Sequence, residues 1–178
     1  MNDIQPVIFL IPLVVLIIVC VLYFHFLKKA DNKQTFKKFI FIMIVFAFLV
    51  NFAWELVQLP LYKNSSYNVD HIAFCALASL ADVLMVLILY FGFALIFKDI
   101  FWIQDLQLKR VLLLVISGGA GAVLFEIRHL SLGSWVYDNS MPLIPVVKVG
   151  LVPVLQFMIL PLLIYFLSYK LLKNSKSN

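Results

Sequence analysis

Five runs of 20 or more residues, poor in charge, fill most of the chain: about 7 to 27, 39 to 60, 70 to 97, 110 to 129 and 149 to 169. An α-helix rises 1.5 Å per residue, so roughly 20 residues cross the ~30 Å hydrocarbon core of a bilayer. Backbone polar groups in hydrocarbon must be bonded within the protein, which leaves the α-helix as the form such runs take. The expected fold is therefore all-α: a polytopic transmembrane bundle of five spanning helices, one domain over residues 1 to 178. Composition points the same way, since 64% of residues are hydrophobic and 13% charged, against about a quarter charged in soluble domains.

Lysine and arginine mark the ends of these runs. Eleven fall in alternate loops and the tail, including KKADNKQTFKK, and only Lys63, Arg128 and Lys148 fall on the other side. The positive-inside rule then puts the N-terminus outside and the C-terminus in the cytoplasm, in a bacterial cytoplasmic (inner) membrane. The net charge of +5 reads as a topology signal, so membrane lipids, an apolar small-molecule substrate and a second copy of the chain are the expected partners, and nucleic acid is not. Cys20 and Cys75 lack CxxC spacing and no HExxH pattern occurs, so no metal or cofactor is expected. The start MNDIQP has an acid and no basic stretch, so the first run is expected to persist as a helix. Pro12, Pro153 and Pro161 lie inside runs and predict kinks, and Pro60 closes the second. SGGAGA at 117 to 122 lacks the GK[ST] ending of a phosphate loop and reads as a close helix contact.

Polar residues inside the runs are the functional signal. With the second helix running outward to Pro60, Glu55 lies about 7 Å and Asn51 about 14 Å below its outer end, and Asp82 comes about 18 Å down the third. Glu126 falls near the outer end of the fourth, and Gln156 about 12 Å down the fifth. All therefore sit in the outer half or at the centre. At 100° per residue Asn51, Glu55 and Gln58 form one stripe, and His71, Cys75 and Asp82 another. Intramembrane carboxylates cost about 2.5 to 3.5 kcal/mol each, so they turn inward and mark function by default. One cavity opening outward is expected, roofed by the loop EIRHLSLGSWVYDNSMPLIPVVK with its Arg128, His129, Trp135 and Tyr137.

Each residue also has a plainer role. Trp54, Trp135, Tyr62 and Tyr137 fit an interfacial aromatic belt, and His71 and His129 fit solvated helix ends. Asn51, Gln58 and Gln156 fit interhelical hydrogen bonding, and Arg128 a headgroup contact or the partner of an acid. Glu55, Asp82 and Glu126 carry the catalytic expectation.

A pocket of low dielectric favours neutral carboxyls, and acids that share one titrate apart, as a general acid and a general base require. That suits isomerisation, cyclisation or hydration of an isoprenoid or other lipid. Glu55 and Glu126 would exchange protons, Asp82 would set the field, and Asn51, Gln58 and Gln156 would orient them. Two other classes stand beside this one: a proton or small-solute transporter, and a non-catalytic membrane assembly partner.

NFAWELVQLPLY at 51 to 62, then His71, the Asp-Val of ADVL, Phe125-Glu126, GSWVYDNSMPLIP and GLVPVLQ resemble an uncharacterised family of small bacterial polytopic membrane proteins. The likeness spans roughly residues 51 to 161 and implies a membrane bundle but no activity. Ala81 stands where that family places Gly before the Asp. More distantly, Trp135-Val136-Tyr137 and the Pro-containing apolar sequence after it resemble membrane-embedded lycopene cyclase domains. Those carry a Pro-x-Glu-Glu motif where this chain has IPVVKVGL, so the likeness implies only an isoprenoid class of substrate.

Overall fold

Asn32 starts the second helix well before its apolar run begins: its side-chain oxygen accepts from the Thr35 N–H at 2.9 Å, an N-cap that lets KQTFKK wind as helix. The computed structural model describes residues 10 to 174. Within them lie α1 (Leu10–Lys29), α2 (Lys33–Gln58), α3 (Val69–Phe97), α4 (Leu108–Ser131) and α5 (Leu151–Asn174), with 3₁₀ turns at Leu59–Leu61 and Trp102–Gln104. All five helices are long and apolar enough to cross a membrane, so the chain has the build of a multi-pass membrane protein. Two boundaries differ from expectation, because α2 begins at Lys33 and α5 runs on to Asn174. In both places polar and lysine-bearing turns extend the helix past the apolar run. Residues 7 to 9, expected in the first helix, fall outside the described residues.

Across the bundle the order of packing is α4, α5, α2, α3, α1, and α3 and α4 touch at most slightly. One end carries the α1–α2 and α3–α4 loops and the lysines, and is called the lysine end. The other carries the α2–α3 and α4–α5 loops, and is called the Tyr62 end. The lysine half is filled by aromatic side chains, with Phe39, Tyr90, Trp102 and Tyr165 all fully buried. Lipid tails are as apolar as these rings, so what holds this half together is close packing and interhelical hydrogen bonds. The Trp102 indole donates to the Tyr90 carbonyl at 3.2 Å, and the Tyr165 hydroxyl to the Val86 carbonyl at 2.6 Å. Large apolar side chains such as Phe41, Val57 and Ile96 are left exposed on the outside of the helices, as a hydrocarbon surrounding permits.

Small residues set the α4–α5 contact. A Cβ on Gly118 would lie 2.1 Å from the Phe157 carbonyl oxygen, and one on Gly119 would lie 3.0 Å from the Met158 side chain. SGGAGA thus brings two backbones together, as its composition suggests. Gly121 is different, because a Cβ there would meet nothing within 4 Å.

The prolines inside the runs differ in their helical setting. Pro153 stands in the first turn of α5, where a backbone N–H has no helical partner to lose. Pro161 lies in the interior of α5, and Pro12 lies in α1.

Candidate functional site

Asn51, Glu55 and Gln58 share one face of α2, and α5 presents Gln156 to that face. The Gln156 amide nitrogen donates to Asn51 Oδ1 at 2.9 Å and to Asp82 Oδ2 on α3 at 3.0 Å, with Glu55 Oε1 further off at 3.4 Å. Two hydrogens serve the two short contacts, and Glu55 takes its main bond from Gln58 Nε2 at 2.7 Å. Turned round, the amide would set its oxygen against the Asn51 oxygen and leave any carboxylate there without its N–H donor. Gln58 Nε2 also reaches Gln156 Oε1 at 3.4 Å. Asn51 completes the group by donating to the Ala47 carbonyl at 2.8 Å. Three helices are thus latched by neutral amides around two carboxyls, as the stripe and depth arguments predict.

Glu126 belongs to a second group, built by the loops. Gly133, at φ 66°, ends α4 with a left-handed turn in which Ser134 N–H bonds the His129 carbonyl at 3.0 Å. The chain then folds back, and residues 136 to 138 pair with 61 to 63: Lys63 N–H donates to Val136 O at 2.9 Å and Asp138 N–H to Leu61 O at 2.8 Å. That clasp carries Tyr137 against Glu126, whose Oε2 accepts from the Tyr137 hydroxyl and from the Trp135 indole at 3.1 Å. Gly150 N–H donates to the same Tyr137 oxygen at 2.9 Å. His129 is buried, stacked on Trp135 with ring centroids 4.5 Å apart, its Nδ1 3.1 Å from Ser134 Oγ.

Outside the helices, the ionisable groups have clear states. Burial first, then Glu126, pushes the Tyr137 phenol up, so it stays a donor at physiological pH. The Tyr62 phenol is likewise raised by burial, then by the charges of Glu126 and Glu55, which puts both acids within electrostatic reach of one hydroxyl. Asp138 is held below the usual carboxylate range by the Ser140 N–H and hydroxyl, and is anionic at neutral pH.

Three expectations meet a different geometry. His71 does not join the inward stripe; its Nδ1 lies against Ser66 of its own turn, 3.0 Å from the carbonyl. One turn from the start of α3, the helix has not yet entered the bundle. Of the two roles expected of Arg128, the acid's partner is not seen: it is exposed and makes no ion pair among the described residues, where Arg110–Asp105 is the salt bridge present, which leaves the headgroup contact. His129 lies inside an aromatic stack where a solvated helix end was expected, because Gly133 turns the loop over it. Trp54 is partly buried against the core and its indole N–H has no protein partner, as is true of Gln58 Oε1. Tyr62 and the Gly150 N–H join the site without a prior expectation of that role; a backbone donor leaves no trace in the sequence.

A cleft of about 80 Å³ reaches the latch from the flank, between α1, α3 and α4, with Asp82 in its lining and Pro12, Ala81, Ser117 and Gly121 around it. It opens at mid-helix height, where an opening at the loop end was expected. Among the described residues, no three His, Cys, Asp or Glu are grouped to hold a metal ion.

The chain matches no family model, curated protein or solved structure. Function must therefore be argued from the site.

Tyr137→Phe tests the loop group directly. Glu126 would keep only Trp135, and the Gly150 N–H would lose its acceptor, at a cost of about 1 to 2 kcal/mol. The expected result is faster amide hydrogen exchange at Gly150 and earlier proteolytic cutting between residues 132 and 150. Exchange at the native rate would remove Tyr137 as the link between Glu126 and the loop.

Proposed function

We propose that this protein is an enzyme of the bacterial cytoplasmic membrane that carries out acid–base chemistry, such as isomerisation, cyclisation or hydration, on an isoprenoid or other lipid. One observation carries the reading. Carboxyls from α2, α3 and α4 converge within electrostatic reach of one another, bonded to neutral donors and to no cation. Structural acids inside a membrane are normally paired, whereas a working acid and base need their protons free to move.

In a double-bond shift, one carboxyl gives its proton to one alkene carbon while a carboxylate takes a proton from the carbon beyond the double bond. The substrate keeps its composition and the two carboxyls exchange states, so no co-reactant is consumed. Glu55 and Glu126 are assigned to that exchange. Asp82 sets the field on Glu55, while Asn51, Gln58 and Gln156 hold the geometry. Trp135 and Tyr137 hold Glu126 and keep the loop closed over it. The positive-inside rule supports the orientation: lysine end in the cytoplasm, site in the outer half.

A second reading is a non-catalytic assembly partner. The mutual bonding of Asn51, Gln58 and Gln156 is what an interhelical latch has, and in that reading the acids are only tied groups. Transport is less favoured, since the lysine half below Asp82 is filled by Tyr90, Trp102 and Tyr165, with no acid among them.

Incubation in D₂O separates the first two readings without knowledge of the substrate. Membranes holding the protein are expected to build deuterium into carbon positions of isoprenoid or acyl lipids, read by mass spectrometry of the lipid extract. Glu55→Gln should abolish this while the protein still inserts. Equal incorporation in membranes with and without the protein would sink the catalytic reading and leave the assembly role.

A further inference from the structure

We infer that the flank cleft between α1, α3 and α4 receives the hydrocarbon chain of a single-chain bilayer amphiphile whose polar end, a hydroxyl or amine, donates a hydrogen bond to Asp82. This deepens the proposed function, on which it rests for the membrane setting and the lipid class of substrate.

The opening follows from the packing order. α4 rests on α5 and α3 on α2 and α1, so α3 and α4 touch at most slightly. Small residues keep the gap from filling: Ala81 on α3, and Ser117 and Gly121 on α4, all line it. At Gly121 a Cβ would meet nothing within 4 Å, so this glycine leaves open space, in contrast to Gly118, which allows a backbone contact. The roughly 80 Å³ is several times the ~10–15 Å³ that one water requires. An apolar lining gives water too few partners to stay, and the neighbouring solvent of a spanning helix at this height is lipid chain.

The floor selects the head. Asp82 lines the cleft; its Oδ2 accepts from Gln156, and no hydrogen bond reaches its other oxygen from the described residues. An oxygen acceptor left in an apolar cleft is costly until a donor reaches it. Glu55 and Glu126 stand nearby and offer no cation, so an anionic head would bring a buried, unpaired charge and is disfavoured, whereas a donating one is accepted. Gln58 Oε1, buried and without partner, is a further acceptor in the same latch. The chain would then lie in the cleft with its first carbons beside the carboxyls.

The test uses the whole chain, purified and placed in phosphatidylcholine nanodiscs, with a long-chain alcohol that carries a photoreactive diazirine mid-chain. Labelling is expected on peptides of α3 and α4 near Met85 and Gly121, and an excess of unlabelled alcohol should suppress it. The amine analogue should label similarly, with the methyl-ended chain weaker and the carboxylate weakest. Asp82→Asn should remove the preference for a donating head. Gly121→Phe and Ala81→Leu fill the cleft from opposite walls, and either should cut labelling about tenfold, the equivalent of 1.4 kcal/mol. Labelling spread over the exposed apolar faces of all five helices, unsuppressed by excess alcohol, would overturn the inference. So would equal labelling by all four heads. Competition on the native chain needs no variant and decides the matter if both cleft-filling variants misfold. Suppressible labelling without deuterium incorporation would keep the cleft and remove the catalysis; deuterium incorporation without cleft labelling would do the reverse.

Discussion

Gly118→Ala is expected to destabilise the protein by about 2 to 3 kcal/mol, the upper part of the range for overpacking a close contact. The added methyl would sit 2.1 Å from the Phe157 carbonyl oxygen, and a backbone atom in the middle of α5 has no rotamer by which to yield. α4 must therefore move away from α5 as a body, loosening the whole seam. Gly119→Ala should cost less, because its neighbour is the flexible Met158 side chain at 3.0 Å, which can turn aside. Gly121→Ala should be neutral or stabilising by up to about 1 kcal/mol, since the helix gains propensity and no contact is strained. Unfolding in mixed micelles, followed by circular dichroism, gives the three values. A Gly118→Ala protein as stable as Gly121→Ala would show that the α4–α5 seam is not set by that glycine.

Gln156→Leu is expected to have the largest effect on the site. Leucine has similar bulk but no amide, so Asn51 and Asp82 each lose their donor and Glu55 its weaker one. Unpaired buried acceptors cost about 1 to 3 kcal/mol each, and interhelical bonds in membranes average below that, so a loss of about 2 to 4 kcal/mol follows. Deuterium incorporation should fall to background. Adding Asn51→Leu to Gln156→Leu should restore part of the stability, because removing both partners of a buried bond is less costly than removing one. It should not restore incorporation, since Asp82 and Glu55 still lack their positioning donor. Recovery of both would mean that the amides serve only as packing, and a double mutant no better than Gln156→Leu would mean that Asn51 and Gln156 are not coupled.

The latch was legible because its signals are local to each helix. The 100° spacing puts Asn51, Glu55 and Gln58 together, and depth along α3 and α5 brings Asp82 and Gln156 to the same level. The rule fails for His71, which has the right angle but lies in the first turn of α3 and meets Ser66 of the preceding loop in place of another helix. The Glu126 group was visible only as an aromatic loop on the correct side. Its assembly depends on residues 61 to 63 pairing with 136 to 138, and nothing periodic in either segment announces a partner so distant in the chain. Glycines divide in the same way: SGGAGA announces close contact, but only the geometry separates Gly118, which touches α5, from Gly121, which faces a gap. The start of α2 was hidden by its lysines, which read as loop although Asn32 caps a helix there.

The position of Gln156 on α5 also bears on how the chain is made. α2 and α3 leave the ribosome first, each with a carboxyl in its apolar run, and the residue that joins Asn51, Glu55 and Asp82 arrives two spans later. Until then Glu55 has only Gln58 of its own helix, and Asp82, without the amide from α5, must be held by water, lipid headgroups or the insertion machinery. Docking of α5 is thus the step that makes the earlier helices comfortable in hydrocarbon. A chain stopped before α5 would carry its own mark of incompleteness, an unpaired acid in the membrane, where quality control can find it.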